Sequence, residues 1–132
     1  MSSHYHAVIW IDHLEARIFH FNVAEADQLL IHPHNPAQHI HHKANSIGSG
    51  HAGQDHDFFH DVVEAIADAG AVLVTGPAKT KNELVKHIAR HTPLVSARIS
   101  GVETLDRLTD GELVAHARTF FKADHQVLPR NH

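Results

Sequence analysis

Apolar and polar positions fall into distinct patterns in the two halves of the chain. HAVIWID (6–12) and ARIFHF (16–21) are β-branched and aromatic runs separated by the polar HLE, which reads as a hairpin. A third run, QLLIH (28–32), follows a short polar link and extends the meander until Pro33 and Pro36 end it. Residues 34–56 show neither a period near 3.6 nor an alternation of two, so a long mobile loop is expected there. Loops of that length are uncommon in compact domains and tend to be functional or disordered.

Helical periodicity begins at Asp57, a capping residue, and places Phe59, Val62, Val63 and Ile66 on one stripe, with Gly70 as the stop. AVLVTG (71–76) is a continuous apolar run of the kind buried on both faces of a sheet. Thr80-Lys-Asn-Glu83 has the form of a capping box and starts a helix with Leu84, Val85 and Ile88 inward, which Pro93 closes. PLVSARISG (93–101) predicts a last strand. Thr109-Asp-Gly-Glu112 is a second capping box, opening a helix that carries Leu113, Ala117, Phe120 and Phe121. The tail, 124–132, is expected to fray. The predicted order is βββαβαβα: a mixed sheet of three antiparallel strands and then two parallel ones, with helices on both faces. That is the order of an RNase H-like α/β fold.

At 132 residues one domain covering 1–132 is expected, burying roughly two thirds of its unfolded surface. The absence of cysteine excludes disulfides and thiolate metal sites and fits a reducing compartment. No run reaches the roughly 18 apolar residues of a membrane span, and residues 1–25 lack a basic segment followed by an apolar one. A soluble, cytoplasmic protein without a membrane partner is the expectation. The formal charge of −4 argues against a broad electrostatic grip on nucleic acid at neutral pH. Protonating all seventeen histidines would raise it by 17 to +13, so mild acid would turn an acidic molecule into a basic one.

Several constellations carry candidate chemistry. Two-metal nucleases of this strand order gather acids at strand ends and on helices. Asp12 and Glu64 fit that pattern, but the strand 71–76 ends in Val-Thr-Gly without an acid, and Asp12 also suits a hairpin turn. GPAKTK (76–81) joins a buried strand to a helix start, where backbone N–H groups and Lys79 and Lys81 would face an anion. It lacks the second glycine and the Gly-Lys-Ser/Thr ending of a nucleotide-binding loop. His39, His41 and His42, with His51, His56 and His60, are candidate ligands for zinc or nickel, without a diagnostic spacing. His56/His60 and His87/His91 are i,i+4 pairs; the former lacks the acid of an HExxH site, and the latter suits an adventitious metal on a helix surface. No cofactor is required, opportunistic zinc or nickel aside. Ser49 and His51 lie close together, but no orienting acid completes a triad.

The stretches HAVIWIDHLEARIF, HIHHKAN, GSGH, VLVTGPAKTKNELVKHIARH and TDGELVAHAR resemble a family of small bacterial proteins labelled "translational machinery protein". That family is itself similar to the middle domain of the class I peptide release factors of archaea and eukaryotes and of Pelota. In release factors the long loop carries a Gly-Gly-Gln that helps water attack the peptidyl-tRNA ester; Pelota-type proteins lack the motif and bind ribosomes without hydrolysis. The corresponding place here reads Gly50-His51-Ala52-Gly53-Gln54, with Ala52 where the first glycine would stand. A Gly pair permits a backbone approach that alanine restricts. The resemblance thus implies a non-enzymatic, translation-associated protein whose partner is the ribosome or tRNA/rRNA. Lys43, Gly48, Ser49, Gly50, His51, Gly53, Gln54, Lys79 and Lys81 would form the contact. The competing readings are a hydrolase, with Gln54 positioning water at a peptidyl-tRNA ester or with a metal-dependent nuclease site, and a histidine-rich divalent-metal binder. An exposed sheet edge would also leave room for a homodimer.

Overall fold

The computed structural model describes residues 6–22, 25–33 and 49–130, with 49–55 and 123–130 as backbone alone. Five strands form one sheet in the order β3-β2-β1-β4-β5: β1 His6–Ile11, β2 Ala16–Phe21, β3 Ala26–Ile31, β4 Ala71–Gly76 and β5 Ile99–Thr104. β1 pairs antiparallel with β2 and β2 with β3, whereas β4 runs parallel to both β1 and β5. The helices are α1 Ser49–Ala65, α2 Thr80–His91, α3 Pro93–Ser96 and α4 Asp110–Arg130. The mixed α/β architecture and its strand directions are those expected from the sequence.

Alternation along the central strands sorts side chains into two apolar layers. Ala7, Ile9 and Ile11 of β1, Ile18 of β2 and Val72 and Val74 of β4 pack with Phe58, Phe59, Val62 and Ile66 of the first helical region and Leu84 and Ile88 of α2. On the other face, Val8, Trp10, Phe19, Phe21 and Leu73 meet Leu113, Val114, Ala117 and Phe121 of α4. β1 and β4 are therefore buried on both faces, which is why their sequences are apolar at nearly every position. β3, at the sheet edge, is exposed at every position except the half-buried Ile31.

Four local expectations change. First, α1 starts at Ser49, so residues 49–56 of the expected 34–56 loop are helical. Gly50 and Gly53 each disfavour a helix interior by about 1 kcal/mol. However, burial of Phe58, Phe59 and Val62 supplies the nucleus, after which each added residue gains a hydrogen bond. Second, α1 ends at Ala65 rather than next to Gly70. The chain leaves it through a turn with the Ala69 N–H bonded to the Ile66 carbonyl, and Arg98 Nη1 donates to the Ala67 carbonyl at 2.7 Å.

Third, the strand expected over 93–101 divides. Pro93, with no N–H for a ladder and φ preset for a helix, opens the single turn of α3, and β5 begins only at Ile99. Fourth, the backbone of α4 is helical to Arg130, within the tail expected over 124–132, of which 131 and 132 lie outside the described residues. The box at Thr109 forms as predicted: the Glu112 N–H donates to Thr109 Oγ1 at 3.1 Å, and the Thr109 N–H to Glu112 Oε1 at 3.0 Å. The box at Thr80 does not, because Lys79 is the N-cap, in helical conformation and without a side-chain cap.

Candidate functional site

Packing of α1 against α2 brings together histidines that the sequence separates by some thirty residues. His56 lies exposed on α1, and His87 and His91 lie one turn apart on α2, His87 half-buried. One ring nitrogen from each lies within 4.8 Å of the other two. Ring centroids are 4.5 Å apart for His87–His91, 4.9 Å for His56–His87 and 5.3 Å for His56–His91, and Phe59 sits 5.5 Å from His87. Burial, first, and then the neighbouring His91, His56, His60 and Arg90 hold the His87 imidazole below its ordinary pKa, favouring the neutral ring. His60 instead turns to Glu64, its Nε2 3.1 Å from the carboxylate. The sequence shows both i,i+4 pairs, but their union across two helices depends on helix–helix packing that no local spacing encodes.

The GPAKTK turn is a second candidate. Gly76 ends β4 so close to β1 that a Cβ there would stand 2.3 Å from the Ile11 carbonyl oxygen. Only glycine fits. From this turn the chain enters α2, with the Asn82 and Glu83 N–H groups bonded to the Lys79 carbonyl. Lys79 is exposed, but Lys81 is buried and its Nζ donates to the Ala78 carbonyl at 2.6 Å. The two lysines that look equivalent in sequence thus have different tasks: one reaches solvent and the other braces the turn.

The remaining candidates are placed as follows. His39, His41, His42, Lys43 and Gly48 lie outside the described residues, while Ser49, Gly50, His51, Gly53 and Gln54 form the first turns of the α1 backbone. Asp12 is a hairpin residue whose Oδ1 accepts from the Leu14 and Glu15 N–H groups at 2.8 and 2.9 Å. Glu64 is exposed and engaged by His60. At the end of β4, where a nuclease would want an acid, the buried Thr75 hydroxyl donates to the Ile9 carbonyl at 2.8 Å.

A further polar cluster escaped the sequence reading. Arg17, inside a strand that reads as apolar, is buried; its guanidinium lies 5.0 Å from the centre of the Trp10 ring and donates to Asp110 Oδ1 at 2.6 Å and to the Leu108 carbonyl at 2.7 Å. Gln28 Nε2 reaches the other Asp110 oxygen at 3.0 Å. Arg107 bridges to Glu15 at 2.9 Å, and Trp10 Nε1 donates to the Leu105 and Asp106 carbonyls. The cluster pins the start of α4 to the sheet. Its legible signal is an arginine at a core position of a mostly apolar strand.

No protein-family model matches the sequence, and no curated protein does. Among solved structures, the chain is similar to Pelota from Archaeoglobus fulgidus, with a TM-score of 0.60 and 11% identity over 86% of this chain and 30% of that one. It is also similar to an archaeal translation termination factor, with a TM-score of 0.52 and 10% identity over 96% of this chain and 41% of that one. The chain therefore spans less than half the length of either protein. At such identities the likeness is one of fold, and it agrees with the release-factor and Pelota resemblance of the sequence motifs. No described helix is long and apolar enough to cross a membrane.

Proposed function

We propose that this chain is a translation-associated, non-enzymatic protein that binds the ribosome through ribosomal RNA or tRNA. The observation that carries the reading is the fold shared with an archaeal translation termination factor and with Pelota over nearly the whole chain. The contact would be made by the segment preceding α1, including Lys43 and Gly48, by the α1 start with Ser49, Gly50, His51, Gly53 and Gln54, and by Lys79 on the turn before α2. Lys81 supports this surface from beneath, its amine being held by the turn. A net charge of −4 and few lysines imply that phosphate contacts are few and salt-sensitive.

The test is sedimentation of tagged protein from cells through sucrose gradients at low and high salt. Comigration with ribosomal particles that is lost at high salt is the expected result, and slow sedimentation at both salts refutes the reading. The ester-hydrolase form of the alternative draws on Gln54. Ester release from ribosomes loaded with peptidyl-tRNA, abolished by Gln54→Ala, would replace the non-enzymatic reading. Self-association is a further element of the proposal, because β3 forms a sheet edge with Leu29 and Leu30 nearly half exposed. Light scattering after size exclusion at several concentrations distinguishes dimer from monomer.

A further inference from the structure

We propose that His56, His87 and His91 form a site for a divalent transition ion of the zinc and nickel class, clasping α1 to α2. The inference rests on the side-chain geometry of the described residues and is independent of ribosome binding. Three imidazoles converge from two helices, each offering one nitrogen within 4.8 Å of the others. Tetrahedral zinc with nitrogen at about 2.0–2.1 Å places its ligands ~3.3 Å apart, so the nitrogens close by at most about 1.5 Å on binding. Rotation of the exposed His56 and His91 supplies that movement.

The backbones of the trio are already positioned. Phe58, Phe59, Leu84 and Ile88 belong to one apolar cluster, which fixes α1 against α2, and His87 and His91 share a face of α2 by their i,i+4 spacing. Phe59 backs His87 with an apolar surface. Donor chemistry selects the ion. No carboxylate belongs to the trio, and His60 and Arg90 are further basic neighbours of His87, so calcium and magnesium, which require oxygen ligands, are disfavoured. Neutral imidazole suits zinc, nickel and copper. Three protein ligands leave a fourth position to water.

Such a clasp crosses two helices that local sequence leaves independent, and it fixes the part of α1 next to Ser49–Gln54. Binding to the folded protein alone stabilises it by mass action. The histidines of 39–42 are the rival ligands, and the experiment must tell the two sets apart.

Titration calorimetry with zinc chloride, and separately nickel chloride, is run on the parent chain and on His56→Ala, His87→Ala and His91→Ala. A loop variant carrying His39→Ala, His41→Ala and His42→Ala together is the comparison. Each single substitution in the trio is expected to weaken the tightest site by ~100-fold or more, exceeding the 10–100-fold typical of losing an outer-sphere partner. The loop variant should retain that site. Saturating zinc should raise the urea midpoint of the parent and leave that of His56→Ala unchanged. His56 and His91 are exposed, so their variants are expected to keep the parent's metal-free midpoint and remain informative even if His87→Ala does not fold. The proposal is overturned if the tightest site survives His56→Ala and His91→Ala, if it disappears in the loop variant, or if zinc leaves the parent's midpoint unchanged.

Discussion

Replacing Gly76 by alanine tests whether the β4-to-α2 turn is dictated by space. The added Cβ would stand 2.3 Å from the Ile11 carbonyl oxygen, against 3.4 Å for an ordinary contact, a shortfall of about 1.1 Å. That oxygen belongs to the backbone of a strand paired on both sides and cannot swing away like a side chain. The strands must instead part by about 1 Å at this end, stretching a hydrogen bond of ~2.9 Å beyond bonding range. Losing the bond and leaving buried backbone groups unsatisfied costs about 2–4 kcal/mol. The smaller conformational freedom of the unfolded alanine chain offsets only about 0.4–1 kcal/mol. A net loss of about 2.3 kcal/mol, with a urea slope of roughly 1.5 kcal/mol per molar, lowers the midpoint by about 1.5 M.

Two other glycines serve as internal comparisons. At Gly101 the obstacle is the end of the Phe120 ring, 2.8 Å away, which can tilt for about 1 kcal/mol, so Gly101→Ala should be nearly neutral. At Gly111, in the first turn of α4, nothing lies within 4 Å, and alanine should stabilise by about 0.5–1 kcal/mol. Urea unfolding followed by circular dichroism measures all three. A Gly76→Ala midpoint within about 0.3 M of the parent, or a Gly101→Ala effect larger than that of Gly76→Ala, would refute the steric argument.

The two lysines of the turn should separate in function. Lys79→Ala is expected to weaken ribosome comigration and flatten its salt dependence by about 0.7–0.9 in logarithmic slope, whereas Lys81→Met, whose parent amine is bound to the Ala78 carbonyl rather than offered to phosphate, should leave the salt slope unchanged. Gradients at three salt concentrations check this. The lowered His87 pKa makes the folded protein harder to protonate than the unfolded chain. Its contribution is therefore fully present above the unfolded value of 6.5 and is lost as pH falls through that value towards the lower folded one. Comparing urea midpoints at pH 7.5 and 5.5 should show a smaller fall in His87→Gln than in the parent. Thr109→Ala removes the acceptor of the Glu112 N–H and should cost about 1 kcal/mol in urea unfolding, and an unchanged midpoint would mean that Asp110 or the Arg17 cluster holds the α4 start unaided.

The sequence by itself determined the class of fold, because two-sided burial writes itself directly into composition. β1 and β4 are apolar at consecutive positions, α2 and α4 repeat with helical period, and the Thr109 box is satisfied within four residues. Interactions that local are visible in a string of letters. The tertiary structure decided what depends on neighbours distant along the chain. α1 extends back to Ser49 through two glycines, and the Thr80 box is displaced because Lys79 takes the N-cap of α2, a few residues beyond the tight approach of Gly76 to Ile11. It also gave Lys79 and Lys81 opposite environments, and it joined His56 to His87 and His91. Local propensities are worth tenths of a kcal/mol per residue, whereas a helix packed on a sheet contributes several, so packing sets the boundaries and assembles the sites.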